Sequence, residues 1–164
     1  MKVPERLLLG PGPSPVSPRV MQAMASPVAS HLDPAMMALL DDLRARLGWA
    51  FGADAGAFSL AVSGTGTSGM EAAIANLARP GSRALVVVTG YFGDRLAQIL
   101  ERYGAAVTRV EAEWGRACDP EQVRRALAAG GADIVALVHG ETSTGVVNPA
   151  ADIVALAAAH GAAT

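Results

Sequence analysis

Short apolar runs alternate with amphipathic segments along most of this chain of 164 residues, and this alternation constrains the fold more than any other feature. Residues 83–89 form the most continuous apolar run, which is typical of a strand covered on both faces. Further strands are predicted at residues 58–62, 105–111 and 133–139. Because strands and helices that alternate this regularly build a parallel sheet with right-handed crossovers, the chain predicts a doubly wound α/β fold.

The predicted helices are marked by apolar residues at helical spacing and by the residues that precede them. Asp33-Pro34 and Asp119-Pro120 each combine an N-cap with a proline at the first helical position, where its missing N–H would have no partner anyway. Helices are predicted at residues 18–24, 34–51, 70–77, 94–103, 120–128 and 151–160.

A loop rich in glycine and hydroxyl side chains, Ser63-Gly64-Thr65-Gly66-Thr67-Ser68-Gly69, joins the first predicted strand to a helix. A strand–turn–helix segment of this kind aims backbone N–H groups and a helix N-terminus at an anion. Gly64 and Gly66 let the backbone approach a ligand closely, and the threonine hydroxyls suit phosphate oxygens. Hydroxyl residues before a helix are also typical of ordinary N-caps, and glycines of tight turns. The loop predicts a phosphate site, and a plain capped turn is the competing interpretation.

The same loop matches the dinucleotide-binding pattern Gly-x-Gly-x-x-Gly through Gly64, Gly66 and Gly69. That pattern needs an acidic residue about 20 positions later, at the end of the next strand. The next predicted strand ends in Val88-Thr89-Gly90, without an acidic residue. A domain that binds a nucleotide diphosphate is therefore the weaker alternative.

Two other segments follow the carboxyl ends of predicted strands. Phe92 comes after strand 83–89, where its ring is placed either to stack on a ligand ring or to cover the core. The polar loop Gly140-Glu141-Thr142-Ser143-Thr144-Gly145 comes after strand 133–139. Since ligands of open α/β sheets bind at the carboxyl ends of the strands, we expect both segments at the ligand-binding edge.

Composition narrows the classes of partner and the cellular location. The formal net charge of −2 gives no reason to expect nucleic acid or an anionic membrane as a partner. No apolar run approaches the roughly 20 residues of a membrane-spanning helix. The single cysteine, Cys118, fits a reducing compartment, and the dispersed histidines and cysteine predict no metal site. We expect a cytoplasmic protein without a membrane or nucleic-acid partner.

Four motifs occur in the order and spacing of the class V aminotransferases, which are enzymes that use pyridoxal 5'-phosphate (PLP). They are Leu9-Gly10-Pro11-Gly12-Pro13-Ser14, Ser63-Gly64-Thr65-Gly66-Thr67, Gly90-Tyr91-Phe92-Gly93 and His139-Gly140-Glu141-Thr142-Ser143-Thr144-Gly145. Over its whole length the chain most resembles the alanine–glyoxylate and serine–pyruvate aminotransferase branch of this family.

The resemblance implies the fold of the type I PLP transferases, in which helices flank the parallel sheet of a large domain. It implies that residues 1–32 form an N-terminal arm with a short helix. Residues 33–164 would form the N-terminal part of the large PLP-binding domain, truncated before the later strands. Residues 58–62 would then lack their sheet neighbours and expose an unpaired strand edge.

The resemblance also assigns cofactor contacts. Thr65, Gly66 and Thr67 align with the loop that holds the cofactor phosphate. Phe92 aligns with an aromatic residue that stacks on the pyridine ring, usually a tryptophan in the alanine–glyoxylate enzymes. Thr142 aligns with a hydroxyl residue beside the phenolic oxygen of that ring.

Two further residues are assigned to the substrate. Gly12 matches an arm that borders the substrate pocket, and His31 falls in a segment that lines the active-site entrance in some relatives. From the residues alone, a disordered tail and a surface or capping histidine are the competing interpretations.

The implied reaction is PLP-dependent transamination between a small amino acid, alanine or serine, and glyoxylate or pyruvate, carried out by a homodimer. In the family, three functional residues lie beyond the position of Thr164: the lysine that binds the cofactor, an aspartate for its pyridine nitrogen and an arginine for the substrate carboxylate. The only lysine here is Lys2. No catalytic residue is therefore assigned, and we expect the chain alone to be inactive.

Alternatives are open within and outside this reaction class. Ureidoglycine–glyoxylate aminotransferases of purine catabolism resemble the chain at Glu113-Trp114-Gly115 and in the loop of residues 141–145, but they carry a glutamine at the position of His31. Cysteine desulfurases are a more distant alternative. Outside the class, the chain is either a non-catalytic nucleotide-binding domain that uses residues 64–69 or a segment that only contributes structure to a dimer.

Overall fold

The structure is a computed structural model that describes Pro4, residues 6–54 and residues 56–164. The chain divides into two compact units, one within residues 1–63 and the other formed by residues 64–164. The expected division between an arm of residues 1–32 and a domain from residue 33 onward stays a prediction.

The first unit contains the helices α1 (Pro18–Met24) and α2 (Pro34–Ala50), which confirms the helices predicted there. Helix α2 begins as expected, because Asp33 accepts a 2.8 Å hydrogen bond from the Ala35 N–H and Pro34 occupies the first helical position. All residues of both helices are described, and none of them is buried.

The strand predicted at residues 58–62 is wrong. These residues belong to no helix or strand of the described chain, and the side chains of Phe58 and Val62 are 72% and 73% exposed. A strand forms only where a neighbouring backbone can share its hydrogen bonds, and an apolar sequence does not supply that neighbour. Within the described chain no strand pairs with this segment, in agreement with the expectation that it lacks its sheet neighbours.

The second unit is built on a parallel sheet with β1 (Arg83–Val88) at its centre. Strands β2 (Ala106–Glu111) and β3 (Ile134–Ala136) flank it in the order β2-β1-β3, and both pair with it in parallel. Ala163 adds a further parallel bridge to Ile134. The predicted α/β fold is confirmed, and strand follows helix in the expected order.

Four helices cover the two faces of this sheet: α3 (Gly66–Leu77), α4 (Tyr91–Arg102), α5 (Pro120–Gly130) and α6 (Ala150–Ala159). Val86 and Val88 pack with residues of α3 and α4, whereas Leu85 and Val87 pack with residues of α5 and α6. Because successive side chains of a strand point to opposite faces, β1 is buried on both, as its sequence predicts. Among the described residues, every helix is too short or too polar to cross a lipid bilayer.

The polar loop expected at residues 140–145 is the tip of a short antiparallel hairpin. Strand β4 (Gly140–Glu141) pairs with β5 (Val146–Val147), and we call residues 140–147 the edge hairpin. The N–H groups of Thr144 and Gly145 both donate to the backbone oxygen of Glu141, at 3.2 and 2.8 Å. Gly145 has a φ of +72°, a conformation that favours glycine.

The buried amide of Asn148 fastens the edge hairpin to the sheet. Its Nδ2 donates to Thr89 Oγ1 and to the backbone oxygen of Val138, both at 2.8 Å. Its Oδ1 accepts a 3.0 Å hydrogen bond from the Cys118 N–H. One side chain thus joins the ends of two strands to a neighbouring loop and satisfies its own polar atoms.

Gly93 sets how closely α4 packs on β1. A Cβ at this position would lie 2.8 Å from the backbone oxygen of Val87 and 3.0 Å from Val88 Cα. We expect Gly93→Ala to lower the free energy of unfolding by about 1–3 kcal/mol, because backbone atoms of a central strand cannot move aside. Chemical denaturation of the wild type and the variant measures this difference.

The matched control is Gly130→Ala at the end of α5, where an added Cβ meets no atom within 4 Å. This change should leave stability equal or raise it by a few tenths of a kcal/mol, since alanine favours a helix over glycine by about 1 kcal/mol at most. Equal stabilities for the Gly93 variant and the wild type would contradict the close packing.

Candidate functional site

A cleft of about 430 Å³ opens at the carboxyl end of the sheet. It is bordered by the start of α3, by the start of α4 and by the edge hairpin. Its lining residues are Thr65, Gly66, Thr67, Met70, Phe92, Val138, Gly140 and Thr142. The structure therefore brings together all of the residues that were expected to meet a cofactor, although they come from three separate segments.

A second groove, of about 420 Å³, runs along α3, α4 and residues 134–138. Its lining is almost entirely apolar, so it offers few donors to a charged ligand. Binding sites for small molecules combine apolar walls with a few convergent polar groups. The first cleft meets that description and is the candidate site.

The glycine-rich loop provides the polar wall of the cleft. Thr65 is the N-cap of α3: its Oγ1 accepts from the Ser68 N–H at 3.3 Å, and Ser68 Oγ accepts from the Thr65 N–H at 3.4 Å. This reciprocal capping box confirms the N-cap interpretation of the loop. The N–H groups of Gly66 and Thr67 have no hydrogen-bond acceptor among the described residues. A capped helix start and a place for an anion are thus compatible in this loop.

The two glycines of this loop serve different purposes. A Cβ on Gly64 would lie 3.0 Å from Ser68 Cβ, so Gly64 allows the capping serine to approach. A Cβ on Gly66 would meet no atom within 4 Å, which leaves the space beside the first turn of α3 open. Neither glycine has a φ in the left-handed region, so close approach at Gly64 and open space at Gly66 distinguish these two positions.

The start of α4 forms the opposite wall, and it is organised by the edge hairpin. The helix begins at Tyr91, three residues earlier than the predicted start after Gly93, and its first N–H groups have side-chain acceptors. The Tyr91 N–H donates to Ser143 Oγ at 2.9 Å. The N–H groups of Phe92 and Gly93 both donate to Glu141 Oε2, at 3.1 and 3.0 Å.

The carboxylate of Glu141 is fully buried, yet every contact around it favours its ionised form. Burial by itself raises the pKa of Glu141. The Ser143 hydroxyl, at 2.6 Å, and the N–H groups of Gly93, Ser143 and Phe92 outweigh burial, and together they lower the pKa below the ordinary value. Glu141 is therefore an anion at neutral pH, placed at the positive end of α4.

Gly90 is required by this arrangement. A Cβ at Gly90 would lie 2.6 Å from Glu141 Cγ and 2.8 Å from Glu141 Cδ. Its φ of 169° is ordinary extended backbone, so the need for glycine comes from the close approach of the Ser143 hydroxyl and the Glu141 side chain. The Gly90-Tyr91-Phe92-Gly93 motif is thus a packing motif at both of its glycines.

Phe92 is half-buried and its orientation is supported by its neighbour. The rings of Tyr91 and Phe92 meet edge to face, with centroids 5.2 Å apart and planes at 85°. Thr142 lies at the exposed tip of the edge hairpin, across the cleft from α3. A flat ring, a hydroxyl group and a pair of free backbone N–H groups are therefore brought to one cleft.

Sequence reasoning missed Glu141 and Gly90 as site residues. Their partners lie about 50 positions away in the chain, and no local sequence pattern indicates a contact over that distance. The available signal was an acidic residue inside a polar loop at a strand end. Gly12 and His31 belong to the first unit, where both are exposed, and their assignment to a substrate pocket stays a prediction.

The stability that Glu141 provides should depend on pH in a definite direction. Because its folded-state pKa lies below the ordinary 4.5, its contribution is complete above that value and is lost as the pH falls through the folded-state pKa. At pH 7 we expect Glu141→Gln to lower the free energy of unfolding by about 1.5–3 kcal/mol, the range for hydrogen bonds to charged groups. The difference from the wild type should shrink on acidification.

Denaturant titrations at several pH values measure this, with Glu121→Gln as the control. Glu121 pairs with Arg124 on the exposed surface of α5, where solvent screens the pair, so its removal should change stability little. A stability difference for the Glu141 variant that stayed constant between pH 7 and pH 3 would contradict the ionised state assigned to Glu141.

Comparison with known sequences identifies relatives of this chain. The family model described as Aminotransferase class-V matches residues 7–164. The chain is 38% identical over 146 residues to the (S)-ureidoglycine–glyoxylate transaminase of Bacillus subtilis (strain 168), and 38% identical over 145 residues to the alanine–glyoxylate aminotransferase of Drosophila melanogaster. These matches cover 89% and 88% of this chain, but it spans only 35% and 36% of the length of those relatives.

Solved structures agree with the sequence match. An alanine–glyoxylate aminotransferase from Nostoc sp. is 44% identical, with a TM-score of 0.90 over 99% of this chain and 43% of that one. The ureidoglycine–glyoxylate aminotransferase from Bacillus subtilis is 36% identical, with a TM-score of 0.92 over 99% of this chain and 42% of that one. Since the family match covers nearly every residue and the fold is shared, this chain belongs to the class V aminotransferases.

Proposed function

We propose that this chain forms the phosphate-binding and ring-binding part of a PLP-dependent aminotransferase that transfers an amino group from a small amino acid to glyoxylate or pyruvate. The observation that carries the proposal is the cleft itself. Free N–H groups at the start of α3, two threonine hydroxyls, a flat aromatic ring and a third hydroxyl all belong to residues that line it. These donors and surfaces match the parts of a phosphorylated aromatic cofactor.

The residues at the start of α3 fit a phosphate ester. The N–H groups of Gly66 and Thr67 carry the partial positive charge of the helix N-terminus, and the hydroxyls of Thr65 and Thr67 add donors beside them. The open space at Gly66 leaves room for the phosphate oxygens. In this proposal these three residues hold the cofactor by its phosphate.

Phe92 and Thr142 fit the ring of the same cofactor. The Phe92 side chain supplies a flat apolar surface for stacking, and the Thr142 hydroxyl is able to donate to a ring oxygen or accept from one. When bound, PLP supplies an electron sink for the substrate's α-carbon, and the protein supplies orientation and a base. The described residues of this chain would bind and orient the ring and limit the access of water to it.

The amino donor is the least constrained part of the proposal. Identity separates the two kinds of relative only weakly. The curated alanine–glyoxylate and ureidoglycine–glyoxylate enzymes both match at 38%, and the solved structures of the two kinds match at 44% and 36%. Both names include glyoxylate, so glyoxylate is the acceptor we favour. Assays of the full-length protein with glyoxylate and alanine, serine or ureidoglycine in turn distinguish the donors.

The assembly and the surroundings of the enzyme belong to the same proposal. We propose a homodimer whose partners are small amino acids and 2-oxo acids, with Gly12 and His31 on the substrate side. A cytoplasmic location without a nucleic-acid partner is proposed with it. Analytical ultracentrifugation of the full-length protein tests the dimer.

If the start of α3 binds the phosphate, a change there should affect the binding of PLP but not the binding of pyridoxal, which lacks the phosphate. Thr67→Val keeps the shape of the side chain and removes its hydroxyl. We expect it to weaken PLP binding about tenfold, because a hydrogen bond to a charged group is worth about 1.5–3 kcal/mol, and to leave pyridoxal binding unchanged. Equilibrium titration of the full-length protein with both compounds measures this.

Thr108→Val is the matched control, since Thr108 is exposed on β2 and does not line the cleft. This variant should change neither the affinity for PLP nor the affinity for pyridoxal. Equal losses of PLP and pyridoxal affinity in the Thr67 variant would contradict a phosphate site at α3. Tight binding of NAD without binding of PLP would favour the nucleotide-binding alternative.

The chain of residues 1–164 on its own should bind PLP without catalysing transamination. None of the residues lining the cleft is a lysine, and the single lysine of the sequence, Lys2, lies outside the described residues. Transamination needs a base that moves the α-proton, and this chain offers none at the cleft. Chromatographic detection of glycine after incubation with alanine, glyoxylate and PLP measures this, and turnover by the purified chain would contradict it.

A further inference from the structure

We propose that Glu141 is a positioning residue for the ring-binding half of the cleft, because its carboxylate holds the segments that carry Phe92 and Thr142 in fixed positions relative to each other. Glu141 does not line the cleft, so it acts through these neighbours. The inference rests on the proposed function, since the cofactor ring is what Phe92 and Thr142 are proposed to contact.

The two carboxylate oxygens divide their hydrogen bonds between the two segments. Oε2 accepts from the N–H of Phe92 itself and from that of Gly93, in the first turn of α4. Oε1 accepts from the N–H and the hydroxyl of Ser143, the residue after Thr142. Since Thr142 lies between Glu141 and Ser143, both of its chain neighbours are anchored. Movement of one segment therefore pulls on the other through a single planar group.

Two weaker links join the same segments but leave Phe92 untouched. Ser143 Oγ accepts from the Tyr91 N–H at 2.9 Å, and Thr144 Oγ1 donates to the backbone oxygen of Thr89 at 3.1 Å. Neither contact reaches the backbone of Phe92. The position of the aromatic ring consequently depends on Glu141 more than on these two bonds.

A neutral amide at this position cannot reproduce the arrangement. Four donors converge on the carboxylate, and an ionised carboxylate accepts at both oxygens. In Glu141→Gln the single oxygen still serves the first turn of α4, but the NH₂ group faces the donating N–H of Ser143. The variant keeps the volume of the side chain and releases the edge hairpin from the helix.

The test uses the full-length protein and titrates it with PLP and with pyridoxal. Glu141→Gln should lower the affinity for PLP and the affinity for pyridoxal by about tenfold each, or ~1.4 kcal/mol. The visible circular dichroism of bound PLP should also lose intensity, because the ring is no longer held in one orientation. Glu121→Gln, the same change at the exposed first turn of α5, should alter neither affinity nor spectrum.

Hydrogen exchange in the cofactor-free protein separates positioning from general destabilisation. In Glu141→Gln, exchange in peptides that contain Ser143 should accelerate by a larger factor than exchange in peptides from β1, which reports only the loss of global stability. If Glu141→Gln does not fold, Ser143→Ala takes its place, because it removes the hydroxyl donor and keeps the carboxylate. That variant should lower the affinities for PLP and for pyridoxal about threefold.

The outcomes separate this inference from the proposed function. A wild-type protein that binds neither PLP nor pyridoxal overturns the proposed function. A wild-type protein that binds both, beside a Glu141 variant with unchanged affinities and an unchanged spectrum, overturns the positioning role alone. A variant that is less stable but binds PLP with the wild-type spectrum overturns it as well, since Glu141 would then only stabilise the fold.

Discussion

Every α-helix leaves its first N–H groups without acceptors inside the helix, and this requirement shapes the ligand edge of the protein. In α4 the requirement is met internally, by Ser143 and by the buried carboxylate of Glu141. In α3 the capping box uses Thr65, and the N–H groups of Gly66 and Thr67 have no acceptor among the described residues. Two helix starts on one cleft are therefore in opposite states. One is neutralised by an anion of the protein itself, and the other is open to an anion from solution.

The sheet provides the rigid support for this difference. Strand β1 is buried on both faces, and burial of each valine or leucine side chain contributes roughly 1.5–3 kcal/mol. A helix cap contributes only about 1 kcal/mol. The apolar core therefore decides where the strands and helices lie, and the polar contacts at the carboxyl edge decide which groups face the cleft. Asn148 belongs to the second class, since its three hydrogen bonds hold loops rather than core.

Local patterns in the sequence were sufficient for much of the fold. The Asp-Pro caps of α2 and α5 and the continuous apolar run of β1 depend on residues next to each other, and all of them are confirmed. Residues 58–62 have the apolar character of a strand but no pairing partner in the described chain, and sequence periodicity cannot supply one. Long-range contacts were also inaccessible. The residues that line the cleft could be named from motifs, whereas the bond from Glu141 to the Phe92 amide could not, because its two ends are 49 positions apart.

The span of these contacts bears on how the protein reaches its native state. The hydrogen bonds from Tyr91 to Ser143 and from Asn148 to Thr89 close loops of 52 and 59 residues. Closing a long loop costs conformational entropy, and the contact stabilises the chain only after the loop has closed. During synthesis the first turn of α4 leaves the ribosome well before its acceptors do. We therefore expect the cleft to form late in the folding of this unit, when the edge hairpin docks on the first turn of α4.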